Sequence, residues 1–201
     1  MCGPFHNATL RQDAESSPTS LPDRPDLIFV LAGRQTRKLY GLSLWRQGLA
    51  KHLLLSVDRF EIRRFAELGL PVWQELWDAR LRTLPAMRHF FVSFDGSDWR
   101  VERVPLGHFG TLSEIRTLKN WLYRQAQDSS LLIVTDSMHV FRVNMCCRRV
   151  LGRHHCYHCI GVPGNRSEGA RGWWLLLQRF LEWFKILVYG VVLAIPGETT
   201  G

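Results

Sequence analysis

The chain alternates short, wholly apolar runs with stretches of helical spacing. Leu27-Ile28-Phe29-Val30-Leu31 and Leu131-Leu132-Ile133-Val134 are unbroken, and His52-Leu53-Leu54-Leu55-Ser56-Val57 nearly so. Runs of this length without polar alternation suit strands covered on both faces, as in a parallel sheet. Between the first and the third, residues 36–48 place Tyr40, Leu44 and Trp45 at helical spacing, and Gly48 stands where a helix-ending glycine belongs. Such a strand–helix–strand unit implies a parallel pair joined by a right-handed crossover.

Residues 61–68 and 72–84 carry further helical patterns, with Gly69-Leu70-Pro71 between them. A strand is expected over 89–94, a tight turn at Asp95-Gly96 and a short returning strand over 99–104. Thr111-Leu112-Ser113-Glu114 has capping-box spacing, with Thr111 as N-cap, ahead of a stripe of Ile115, Leu118, Leu122 and Tyr123. The run 131–134 then ends abruptly in Thr135-Asp136-Ser137, and His139 and Arg142 open an amphipathic segment reaching Leu151. This pattern reads as a buried strand delivering a polar tip to the sheet edge where open α/β folds bind ligands. A last strand is expected near 156–162.

Residues 1–25 are rich in turn formers and lack periodicity, which predicts a disordered leader, with one α/β domain over 26–163 and a linker over 164–172. The final element, 173–195, opens on Trp173 and Trp174, closes on Ile195, and carries Gln178, Arg179, Glu182 and Lys185 on one stripe. Its unbroken apolar part is shorter than the roughly twenty residues that span a bilayer. An amphipathic helix lying on a membrane surface and one packed on the domain both fit this composition.

Charge and cysteine content narrow the setting. A formal net charge of +8 favours anionic partners. Much of the excess, however, sits on helices (Arg63, Arg64, Arg80, Arg82, Arg148, Arg149) where a solvated face explains it, and no nucleic-acid motif accompanies it. Five cysteines and no secretory signal pattern point to a reducing compartment, the cytoplasm. Cys146-Cys147 and His154-His155-Cys156-Tyr157-His158-Cys159 have the composition of a zinc site. In a strand, however, Cys156 and Cys159 point to opposite faces, and adjacent helical cysteines diverge, so no metal is assigned.

In their order along the chain these motifs resemble the YdcF-like family, whose relatives include the SanA and ElyC envelope proteins. The resemblance covers about 26–162 and rests on Asp26 to Gly33, on Arg37, Gly41, Leu44 and Gly48, on the strand ending at Ser56, on Thr111 with Glu114, and on Val134, Thr135, His139 and Arg142. It implies a Rossmann-like three-layer α/β/α sandwich with a mostly parallel sheet, a role in cell-envelope and peptidoglycan processes, and S-adenosylmethionine as a cofactor of one branch. The chain departs from the family where Ser56-Val57-Asp58 replaces Ser-Gly-Gly, in the longer segment 84–110 with its own hairpin, and in lacking the N-terminal membrane helix of the SanA and ElyC branch.

The expected site therefore lies at the carboxyl edge of the sheet. His139 is the candidate proton exchanger, since its ordinary pKa near ~6.5 allows exchange at neutral pH. Glu114 would set its charge or bond a ligand hydroxyl. Arg37 and Arg142, with Arg34 behind them, would hold anionic groups. Thr135, Ser137, Ser56 and Thr111 would orient them. The expected ligand is a small anionic or nucleotide-like molecule, with enzymatic turnover left open. The alternative is a non-catalytic envelope module, peripheral to the inner membrane, docking through 173–195. Specific nucleic-acid binding is not expected.

Overall fold

The computed structural model describes residues 24–105, 110–125, 129–152 and 155–163. Strands β1 (Leu27–Val30), β2 (His52–Asp58), β3 (His89–Asp95), β4 (Asp98–Arg103), β5 (Leu131–Asp136) and β6 (Tyr157–Val162) form one sheet in the order β4-β3-β2-β1-β5-β6. β1 pairs in parallel with β2 and with β5, and β5 with β6. β3 and β4, the hairpin expected from Asp95-Gly96, add to β2 as an antiparallel margin. Helices α1 (Gln35–Arg46), α2 (Ile62–Phe65), α3 (Trp73–Leu81), α4 (Gly110–Arg124) and α5 (Val140–Val150) complete an α/β architecture consistent with a Rossmann-like fold.

The unbroken apolar runs are explained by two separate cores. Ile28, Val30, Leu53 and Leu55 pack against Leu42 of α1, Ile62 and Phe65 of α2 and Leu76 of α3. Their strand neighbours Phe29, Leu31, Leu54 and Ile133 turn the other way, onto Leu112, Ile115 and Leu118 of α4 and Val143 of α5. Alternate side chains of one strand thus feed opposite cores, so no position can be polar. Full burial of a side chain such as Phe29 or Ile28 contributes about 2 kcal/mol. α1 lies unusually close on β1: a Cβ on Gly41 would sit 2.3 Å from Val30 Cγ2.

Local departures from the sequence reading have local causes. The 61–68 segment is one turn of α2 followed by a 3-10 turn, Ala66–Leu68, which ends at Gly69 in the left-handed region. α3 stops at Leu81, before Pro85, which holds Leu84 extended at ψ 141°. The leader, the linker and the expected helix over 173–195 lie outside the described residues, apart from residues 24 and 25.

The chain leaves β1 for β2 on one side, while β5 flanks β1 on the other. That reversal of strand order opens a crevice above the carboxyl ends of β1 and β5, where such sheets bind ligands. Because β3 runs antiparallel, its first residue, His89, pairs with the last of β2, Asp58, and joins the same edge.

Candidate functional site

A cavity of about 220 Å³ occupies this crevice. Leu31, Ala32 and Gly33, just past β1, line it together with Arg37 from the first turn of α1. Thr111 and Glu114 come from the start of α4, and Thr135 from the tip of β5. His139 and Arg142 complete that wall, and Asp58 and His89 form the opposite one.

The turn after β1 is closed by carboxylates. The Ala32 N–H donates to Glu114 Oε1 at 2.9 Å, and the Gly33 N–H donates to Glu61, which also holds the buried Lys38 ammonium. Gly33 has φ 132°, and a Cβ there would lie 2.7 Å from Arg37 Nη1, so glycine is required. The Arg37 guanidinium donates to the Ala32 carbonyl and, through Nη2, to Asp136 Oδ2 at 2.6 Å, with Nε buried and lacking a hydrogen-bond partner. Burial opposes the charge of Asp136, but the hydrogen bond and charge of Arg37 prevail and hold its pKa below the usual range. His139 Nε2 stands 3.8 Å from the same carboxylate. Burial pushes Glu61 up to about 7 despite Lys38 beside it.

Behind this wall runs a buried hydrogen-bond chain. Ser56 Oγ lies 2.9 Å from His89 Nε2 and donates to Glu114 Oε1 at 2.6 Å. All three residues are almost fully buried. Burial drives the two titrating groups towards neutrality, His89 down to about 4 and Glu114 upward. With the Ser56 hydroxyl committed to Glu114, the imidazole must donate from Nε2, leaving the lone pair on Nδ1. Nδ1 is buried and has no hydrogen-bond partner among the described residues.

Of the residues expected from sequence, Arg37, Thr111, Glu114, Thr135, His139 and Arg142 line the cavity together. Ser56 lies beneath it and reaches it only through Glu114. Arg34, at the N-cap of α1, is exposed and outside the lining, and Ser137 Oγ instead donates to the Val162 carbonyl at 2.7 Å. The capping box is corrected: α4 already includes Gly110 and Thr111, and Glu114 turns inward to Ala32 and Ser56. Its stripe is shared with Leu118, so the side chain faces the sheet and not its own N-terminus.

Sequence reasoning passed over His89, Glu61 and Lys38. A histidine opening a strand and an acid–base pair twenty-three residues apart carry no local signal of convergence. Asp58 was read as an added negative charge, and it has a structural task too: Oδ1 accepts the N–H groups of Phe60 at 2.6 Å and Glu61 at 3.1 Å, closing the turn after β2.

The cysteines do not gather. Cys146 and Cys147 are buried in α5, and Cys156 and Cys159 are half-buried and free of disulfides. A hydrogen bond with Cys159, then burial, push the Cys147 thiol upward, and burial pushes Cys146 up to about 11. Both therefore stay protonated and inert. Among the described residues no group of three or more His, Cys, Asp or Glu side chains is placed to hold a metal ion, and no helix is long and apolar enough to cross a membrane. Comparison with protein-family models, with curated proteins and with solved structures finds no match to this chain.

Proposed function

We propose that the domain binds a small molecule bearing an anionic group, of nucleotide-like character, at the carboxyl edge of its sheet. The observation that carries this reading is the cavity at the strand-order reversal, walled by Arg37, Arg142 and His139 and sealed below by the Glu114–Ser56–His89 chain. The backbone N–H groups after β1 are already taken by Glu114 and Glu61, so recognition falls to side chains. Arg142 supplies a planar donor fork for carboxylate or phosphate. His139 stands beside it as the group able to exchange a proton near neutral pH. A YdcF-like identity, an envelope role and S-adenosylmethionine as ligand are the proposals that the motif resemblance adds.

Calorimetric titration of the protein with S-adenosylmethionine, simple nucleotides and undecaprenyl-type phosphates tests the reading. At least one is expected to bind, and Arg142→Ala to weaken it roughly 10- to 100-fold, the usual worth of a charge-assisted contact. His139→Ala should weaken it less. A folded protein that binds none of them, or whose binding ignores both substitutions, refutes the reading.

A further inference from the structure

A second cavity, of about 720 Å³, adjoins the first, and Asp58 and His89 line both. The smaller cavity falls below the ~300–1,000 Å³ that whole organic ligands occupy, whereas the larger lies within that range. The smaller alone thus accommodates a phosphate or carboxylate with its nearest atoms, and a nucleotide needs both.

The larger cavity is cationic and partly apolar. Arg59, Arg88 and Arg103 line it, and none is ion-paired with a described carboxylate. Arg88 is fixed by Nε hydrogen bonds to the carbonyls of Arg80 at 3.1 Å and Thr83 at 2.9 Å. Phe60 and Met87, 68% and 48% exposed, supply apolar surface, and the Arg59 guanidinium lies 4.5 Å from the Phe60 ring centre. Cations without acids, next to an exposed ring and a thioether, form a surface complementary to phosphate joined to a flat apolar group.

We propose that the two cavities take one elongated phosphorylated ligand of the nucleoside diphosphate class. Its terminal anionic group lies between Arg37 and Arg142, its remaining phosphate and base lie along Arg59, Arg88, Arg103 and Phe60, and one of its hydroxyls donates to His89 Nδ1 at the junction. The neutral state of His89 serves this role, because an imidazolium has no acceptor to offer. The inference deepens the anion-site reading and rests on it.

The experiment is titration of the full-length protein with inorganic phosphate, ADP, UDP, ADP-ribose and UDP-glucose. At least one nucleotide is expected to bind tenfold or more tightly than phosphate. The double variant Arg59→Ser, Arg103→Ser should erase that preference, and Arg149→Ser, an exposed arginine lining neither cavity, should keep it. His89→Gln, which keeps an N–H towards Ser56 and removes the acceptor, should weaken the nucleotide about five- to tenfold. Phosphate and nucleotides of equal affinity, with phosphate binding lost in Arg142→Ala, overturn the two-cavity ligand and spare the anion site. Nucleotide preference that survives the double variant overturns it likewise. Absence of all binding, or binding indifferent to Arg142→Ala, overturns both.

Discussion

Acidification should destabilise this domain through one residue, His89. Its imidazole is 3% exposed and held neutral, with a pKa reduced by burial from 6.5 to about 4. The unfolded chain takes up the proton near the ordinary value, and the folded one does so only near the depressed value. Between them the unfolded state binds more protons, so stability falls as pH is lowered through that window and levels off below it. Each pKa unit is worth about 1.4 kcal/mol, so the loss by pH 5 is about 2 kcal/mol, a large share of a domain's total stability. Urea unfolding of the wild type and of His89→Gln at pH 7.5 and pH 5 isolates this contribution. Other carboxylates and histidines titrate in both proteins, and only the wild type carries the His89 component. The wild type should lose about 2 kcal/mol more than the variant over that interval. Parallel pH profiles would refute the reasoning, by showing that the imidazole is solvated or charged in the folded protein.

Three further substitutions test the packing and the charges around the site. Gly41→Ala places a methyl 2.3 Å from Val30 Cγ2 and should cost about 1–3 kcal/mol in urea unfolding, partly recovered by a second change, Val30→Ala. Ser56→Ala removes the shared partner of His89 Nε2 and Glu114 and should cost about 1–3 kcal/mol, with the sheet intact by circular dichroism. Lys38→Met removes the ammonium beside Glu61, whose pKa burial already raises from 4.5 to about 7. A raised carboxyl stabilises the fold at acidic pH and loses that contribution as pH rises through the folded value. The variant should therefore be destabilised by about 3–5 kcal/mol at pH 8 and recover at pH 5, where equal losses at both pH values would refute the pairing.

What the sequence disclosed, and what it hid, follows from the range of the interactions. β1, β2 and β5 were legible because burial on both faces forbids polar residues along a run, a condition that each run displays by itself. α1 was legible from its spacing and from Gly48, which has φ 75° and donates to the Trp45 carbonyl at 2.9 Å. The helix starting near Thr111 was legible, but not the destination of Glu114. A capping box is a statement about four consecutive residues, whereas Glu114 bonds to Ala32 and Ser56, 82 and 58 positions away. One hint was present, since a glutamate on the apolar stripe of α4 has to find buried donors. His89 offered no such hint. It enters the site only because β3 pairs antiparallel with β2 and sets His89 against Asp58, a register that neither strand specifies alone.

The same long-range bonds decide how this edge can recognise an anion. In a glycine-rich turn after a parallel strand, free backbone N–H groups point at the ligand and a phosphate is held by amides. Here those amides are already committed. Ala32 and Gly33 donate to Glu114 and Glu61, and Phe60 and Glu61 donate to Asp58. The valine and aspartate of Ser56-Val57-Asp58 belong to this arrangement: Val57 fills the core and Asp58 closes its own turn. A glycine pair there would forfeit both. Anion recognition then rests on guanidinium and imidazole groups, whose contribution depends on salt and pH in ways that a cradle of amides does not. Arg37 is tied to Asp136 and to the Ala32 carbonyl, so it serves first to fix the turn and only then to meet a ligand. Arg142 is therefore the side chain whose loss should be felt most in binding and least in the architecture of the β1 turn.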